Sequence, residues 1–229
     1  MRPITLSKVL VAASATNICA SQALAAAGFL NLNGSTSVAA SGVSGGFGYI
    51  PKQAVLDTQR RVLFTSGGND STKTATIIGT NDYGGVIAEN VTLANATTAT
   101  SLLDYKTVLS IFVNGAIATT ITVGTNTTGS TPWIMPNYDL DPFAANVATQ
   151  VSGSVTFQGE TTLDDYFTEP NNVGIGNLTP TINVAAPIIA SGSAANVTAL
   201  VSPFRGFRLT VTAGTGTVTA QFLQAGIIN

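Results

Sequence analysis

The sequence predicts an all-β chain: two antiparallel β-sandwich units, jelly-roll or Ig-like, with an extended N-terminal segment. Three observations point there. Short β-branched runs alternate with Gly-, Asn- and Asp-rich turn signals at close spacing through most of the chain. Long amphipathic helical patterns are absent. The 229 residues, 23 of them glycine, suffice for two ordinary β domains with cores of their own.

Residues 1–50 are expected to form a strand or arm that packs on the first domain. Within them, Ser21 to Gly28 (SQALAAAG) looks like a signal-peptidase site, with Arg2 and Lys8 as a basic start. The apolar core such a leader needs is poor: Val9 to Ala15 is short and contains Ser14, and Thr16-Asn17 interrupts it. A lipoprotein box before Cys19 is missing too, because Asn17-Ile18 precedes it. The alanine run is therefore read as a loop or short arm between two strands, where small side chains make close packing against a neighbour easy.

Residues 51–128 are the expected first sandwich. Strands are predicted at Arg61–Thr65, Thr74–Gly79 and Val86–Leu93, separated by turns at Gly67–Asp70 and Asn81–Gly85. Val108–Val113 and Ala116–Val123 are predicted to pair as a hairpin across Asn114-Gly115, both of which tolerate positive φ. The stretch Gly124 to Pro132 (GTNTTGSTP) has no apolar period and is taken as the domain boundary.

Residues 129–229 are the expected second sandwich. Val147, Val151, Val155 and Phe157 share one strand parity, and a turn is expected at Gly159-Glu160. Pro170 to Pro203 reads as a long excursion or partner-contact arm. The clearest hairpin signal is Phe207–Thr212, then Ala213-Gly214-Thr215-Gly216, then Thr217–Leu223, with Leu209 and Val211 on the buried parity.

Composition narrows the function. Charged residues are 9% of the chain and the net charge is −2, against roughly 25% charged in an average soluble domain. No footprint for nucleic acid or an anionic membrane exists, and no run approaches the roughly 20 apolar residues of a membrane helix. The absence of histidine removes Ser-His-Asp and Cys-His nucleophiles and ordinary zinc catalysis. A lone Cys19 cannot close an intrachain disulfide and reads as an inert buried thiol. So little charge on a β surface suggests that copies of the chain or partners cover much of it.

No residue is assigned a catalytic, cofactor-binding or metal-binding role. Asp139-Leu140-Asp141 and Asp164-Asp165 are the only carboxylate clusters; they could bind calcium or serve a glycosidase, but turn chemistry accounts for them. Asn69-Asp70 with Asp82 is a weaker version of the same idea. Gly42 to Gly48 and Gly174-Ile175-Gly176 lack a phosphate-loop lysine and read as bends. Arg60-Arg61 with Arg205 and Arg208 either grip a partner's carboxylate or lie at strand ends in water. Asn90-Val91-Thr92 and Asn196-Val197-Thr198 are glycosylation triplets only if the chain enters a eukaryotic secretory route.

Several runs resemble structural-module proteins of tailed bacteriophages. They are Leu56 to Val62 (LDTQRRV), Ser66 to Ser71 (SGGNDS), Ile78 to Gly85 (IGTNDYGG), Glu89 to Thr97 (ENVTLANAT) and Tyr105 to Ile111 (YKTVLSI). Asn137 to Phe143, Val151 to Phe157, Thr162 to Phe167 and Gly214 to Gly226 match more loosely. Gln59 stands where the pattern tends to have proline, Tyr105 where it tends to have phenylalanine, and residues 170–203 match less well. The resemblance implies no catalytic residue. It implies a virion component assembled in the host bacterial cytoplasm, on the capsid surface: a decoration or cement protein that bridges copies of the major capsid protein and associates with itself as a dimer or trimer. The N-terminal segment or the 170–203 excursion is expected to make the contacts. A neck, tail or head-fibre component, a secreted bacterial adhesin and, last, a glycan-cleaving enzyme are the alternatives.

Overall fold

The computed structural model describes residues 4–10, 12–33, 53–137, 140–163, 186–192, 196–200 and 204–228. These residues are all-β and contain no helix. In chain order the strands are β1 (Ile4–Leu10), β2 (Ser14–Gln22), β3 (Gly28–Phe29), β4 (Ala54–Ser66), β5 (Thr74–Thr80) and β6 (Val86–Thr92). They continue as β7 (Thr98–Val113), β8 (Ile121–Ser130), β9 (Leu140–Thr162), β10 (Ala186–Gly192), β11 (Asn196–Leu200) and β12 (Gly206–Ile228). Antiparallel pairing links them in the order β10-β9-β12-β8-β4-β7-β5-β6, with β1 on β12, β11 on β9, β2 on β8 and β3 on β7.

Two compact units share these strands. One holds Ala13–Asn126, and the other holds β1 and the described chain from Thr127 onward. The division falls inside β8, so the expected linker Gly124 to Pro132 is largely strand. Its Thr-rich sequence carries no apolar alternation, yet Thr125, Ser130 and Thr131 are buried. Threonine suits a pleated surface whether or not its neighbours alternate. β1 also departs from expectation. It pairs with β12, Ile4 opposite Phe222 through Leu10 opposite Gly216, and so joins the C-terminal unit instead of the first.

In the Ala13–Asn126 unit, β5 and β6 form the expected hairpin, Thr80 opposite Val86 through Thr74 opposite Thr92. Asn81 makes its turn: the Asn81 side-chain oxygen accepts from the Tyr83 and Gly85 N–H groups at 3.0 and 2.8 Å. β4 does not pair with β5; it pairs with β7, and β7 pairs with β5. Nor do β7 and β8 close a hairpin across Asn114-Gly115. β7 lies between β4 and β5, and Asn114 instead joins Thr74 through two hydrogen bonds. Asn-Gly allows a tight reversal, but the partners of both strands are set by burial elsewhere. The alanine run lies in a short loop between β2 and β3, where Leu24 accepts the Ile117 N–H at 2.9 Å.

The other unit is built on β9 and β12, each 23 residues long and paired over nearly their whole length. Gly159 and Glu160 are not a turn but part of β9, opposite Leu209 and Arg208. The expected Ala213–Gly216 hairpin turn is likewise inside β12: Gly214 faces Val155 and Gly216 faces Gly153. Gly153, Gly214 and Gly216 have φ of 90°, 87° and 142°, a region that favours glycine.

These glycines bend the strand pair. Phe207 and Phe222 are fifteen residues apart on one strand, about 50 Å in an extended chain. Their rings nevertheless stack at 5.8 Å, and Phe204 meets Phe222 edge-on at 6.3 Å. β12 must therefore fold back on itself around Gly214, and β9 with it. The core between the halves holds Phe207, Leu209 and Val211 from one side of the bend and Val218, Ala220 and Phe222 from the other. Val147, Val155 and Phe157, on the expected parity of β9, complete it, with Val151 half-buried against it. Within the Pro170–Pro203 excursion, β10 and β11 pair with the edge of β9 that β12 leaves free.

Candidate functional site

Two arginines that could have faced a partner, Arg60 and Arg208, are engaged by carboxylates of their own chain. Arg60 is fully buried. Its Nε and Nη2 donate to the two oxygens of Asp57 at 2.6 Å each, and Nη1 donates to the Asn126 carbonyl at 2.9 Å. Residues three apart on a regular strand point to opposite faces. The pairing of β4 with β7 slips between Val55 and Arg60, and this irregularity brings the two side chains together. Arg61 lies 3.6 Å from Asp104, its cross-strand partner on β7.

Arg208 belongs to the other unit. Its Nε donates to Glu160 at 2.6 Å, and its guanidinium lies 4.6 Å from the centre of the Trp133 ring. Glu160 also accepts from Gln158 and from the Thr210 hydroxyl. Burial alone would raise the Glu160 pKa, but the Arg208 charge and these hydrogen bonds outweigh it and hold the carboxyl below its usual range. The Arg205 backbone N–H donates to Thr162. Arg60 and Arg208, then, grip carboxylates of their own chain, while Arg61 stays partly exposed and only approaches Asp104.

The remaining candidates separate. Asp70 is buried; its Oδ1 accepts the Ala118 N–H at 2.8 Å, its N–H reaches Ala94, and its carbonyl accepts from Lys73. It ties three loops together. The Asp82 N–H donates to Gln59 Oε1 at 3.2 Å, and nothing brings Asp82 to Asp70. Asp141 has its backbone in β9, while Asp139, Asp164, Asp165, Gly42 to Gly48 and Gly174 to Gly176 lie outside the described residues. Asn90 is exposed and accepts from the Thr76 hydroxyl at 2.6 Å; Asn196 begins β11. Among the described residues no three His, Cys, Asp or Glu side chains gather around a possible metal position.

Cys19 is buried, as expected. Burial pushes its thiol up to about 11, against a hydrogen bond from Gln22 that pulls the other way. Since the thiolate is the nucleophile, a thiol reagent at neutral pH should leave the native protein unlabelled and modify it fully in denaturant. Rapid labelling of the native chain would contradict this burial.

Sequence alone does not single out Glu89 as a candidate residue. It is only 1% exposed and lies on β6, the last strand of the pairing order. Its signal was strand parity: Ile87 and Val91 share its face and are buried too. Across from it β7 bulges, because the β4–β7 register slips where Arg61 faces Asp104 but Leu63 faces Thr100. The bulge leaves N–H groups without a strand partner, and Glu89 takes them. The Leu102 N–H reaches Oε1 at 3.1 Å and Oε2 at 3.0 Å, and the Leu103 N–H reaches Oε2 at 3.2 Å. Ser101 accepts from the Val62 N–H and donates to the Leu103 carbonyl. Burial drives the Glu89 pKa up to about 7, partly offset by these N–H donors, Ser101 and the Arg61 charge. Tyr105, with its hydroxyl buried and unpartnered, is pushed up by burial and by the Glu89 charge.

With its carboxylates turned inward, β6-β5-β7-β3 presents an uncharged outer face. One cross-strand row is Asn90, Thr76, Phe112 and Phe29; a second is Ala88, Ile78 and Ser110; a third is Val86, Thr80 and Thr107. Val86 is 61% and Phe29 66% exposed. The face mixes these exposed apolar side chains with threonine, serine and asparagine. Neither the protein-family models nor the curated proteins include a match to this chain.

Proposed function

We propose that this chain is a non-enzymatic structural protein of a tailed-phage virion, a decoration or cement protein that binds the outside of the head and bridges major capsid subunits. The observation that carries the reading is the uncharged sheet face containing Phe29, Ile78 and Val86, in a unit whose Arg60 and Asp57 are engaged with each other. Such a face costs little to desolvate and suits many weak contacts repeated over a lattice. Binding only the assembled shell stabilises it by mass action. The reading includes two sandwich-like units and self-association as a dimer or trimer. The ring stacking of Phe207 on Phe222 supports a layered arrangement in the C-terminal unit.

Quantitative mass spectrometry of purified virions tests the role. A copy number near that of the major capsid protein is expected. A few symmetric copies would assign the chain to a neck, tail or fibre instead, and absence from particles would refute a virion role. A second test addresses the face. Ile78→Asp with Val86→Asp should leave the chain folded and reduce sedimentation with heads at least about tenfold, since each buried unpaired charge is costly. Unchanged binding would exclude this face as the contact. Polysaccharide cleavage that vanishes in Asp164→Asn with Asp165→Asn would overturn the non-enzymatic reading altogether.

A further inference from the structure

We propose that β1 is an exchangeable strand: in an assembly of copies, the place it fills on β12 is taken by β1 of a second copy of this chain. This supplies a means for the self-association in the reading above. It rests on strand pairing alone, however, and absence of the chain from virions would leave it standing.

The seat is specific. β1 lies antiparallel along Gly216 to Phe222 of β12, from Ile4 opposite Phe222 to Leu10 opposite Gly216. The other edge of the same stretch is taken by Val147 to Gly153 of β9, and β8 reaches β12 only at Thr210 and Val211. Among the described residues, β1 is therefore the strand that covers this edge. Val218, Ala220 and Phe222 of the stretch belong to the buried core. The stretch itself, GTVTAQF, holds no charged residue and no proline, the groups that ordinarily keep an open edge from recruiting a foreign strand. Without β1 this edge is an open template, and β1 of another copy meets it with the same register and the same contacts.

Connectivity leaves β1 free to exchange. Pairing alone holds it to its unit: after Leu10 the chain enters the Ala13–Asn126 unit and returns only at Thr127. Three residues, Val11-Ala12-Ala13, separate β1 from β2. They include no glycine, proline, asparagine or aspartate, so no turn chemistry directs the chain back on itself. A short link of this kind favours exchange over closure. Exchange conserves every β1–β12 contact, so concentration sets the balance between own and foreign strand. Above roughly millimolar, the effective concentration of a short tether, the foreign strand competes.

Mixed disulfides test the exchange. Thr5 and Gln221 are paired and both exposed, within reach of a disulfide across an antiparallel ladder. In a Cys19→Ala background, one chain carries Thr5→Cys and another Gln221→Cys. The two are unfolded together in urea, refolded at about 1 mM or at about 1 μM, and then oxidised. Disulfides between the two kinds of chain should be at least about tenfold more abundant at the higher concentration, and should exceed the links between like chains that collision alone produces. A chain carrying both substitutions should close the link within itself at about 1 μM, which checks the register. About six glycine and serine residues inserted between Val11 and Ala12 let β1 return to its own chain and should cut the mixed product severalfold. The unsubstituted chain refolded at about 1 mM should elute as a dimer or larger species. Mixed links no more abundant than collision links, failure of the intrachain link, no effect of the longer hinge, or an unsubstituted chain that stays monomeric at about 1 mM would each overturn the proposal.

Discussion

Replacing Gly214 by alanine should destabilise the unit that contains Trp133 by about 3 kcal/mol or more, the sum of backbone strain at positive φ and overpacking. At φ 87° a side chain is disfavoured from the start. A Cβ there would also run into the Ser154 carbonyl oxygen on β9, and one at Gly216 would meet the Ser152 carbonyl. These are backbone atoms of the paired strand, so no rotamer change relieves the contact. The bend at this point is what brings Phe207 onto Phe222, and the damage should therefore spread through the core of that unit. Gly84 is the control. Its φ is 78°, but nothing lies within 4 Å of its would-be Cβ, so Gly84→Ala should cost only about 1 kcal/mol. Trp133 is the sole tryptophan, and its fluorescence during urea unfolding reports the transition of the Gly214 unit, while Cys19 labelling across the same urea series reports that of the Ala13–Asn126 unit, which contains Gly84. Gly214→Ala unfolding with the native midpoint would mean that β12 does not bend there.

The second large effect concerns the Asp57–Arg60 pair. Asp57→Ala should cost the Ala13–Asn126 unit about 2–4 kcal/mol, somewhat below the figure for breaking a fully buried pair, because the Asp57 side chain is 20% exposed. The loss comes mainly from what remains: a buried guanidinium, still bonded to the Asn126 carbonyl, whose charge has lost its carboxylate. The double variant Asp57→Ala with Arg60→Met removes both charges and should recover much of the loss. Cys19 is the only cysteine and is buried in this unit, so its labelling rate across a urea series follows the opening. If Asp57→Ala alone and the double variant label alike, the pair does not hold the β4 irregularity together.

The two units differ in how legible they were. Arg60 shares its strand parity with Leu56, Thr58, Val62 and Phe64, all buried, so its inward direction could be read from alternation. What alternation could not show is the slip in pairing that lets Asp57 meet it. Glu89 was readable in the same way, between Ile87 and Val91, but not the β7 bulge whose N–H groups make a carboxylate useful there. The β5–β6 hairpin was legible because everything it needs is local: Asn81 and Gly85 in the turn, and matched strands on either side. The hairpins expected at Asn114-Gly115 and at Ala213–Gly216 failed because a turn-competent sequence is only permissive.

By itself the sequence determined the β class, the face on which Leu209, Val211, Val147 and Phe157 are buried, and the buried setting of Cys19, because these follow from a two-residue period and from side-chain character. Only the tertiary structure decided which strands pair, that β1 joins β12, that Gly214 bends a strand instead of ending it, and that Arg60 and Arg208 meet acids of their own chain. Strand partners and register depend on hydrogen bonds between residues far apart in sequence. Glycine accepts a turn and a bend equally, so the choice between them comes from the core that forms on either side.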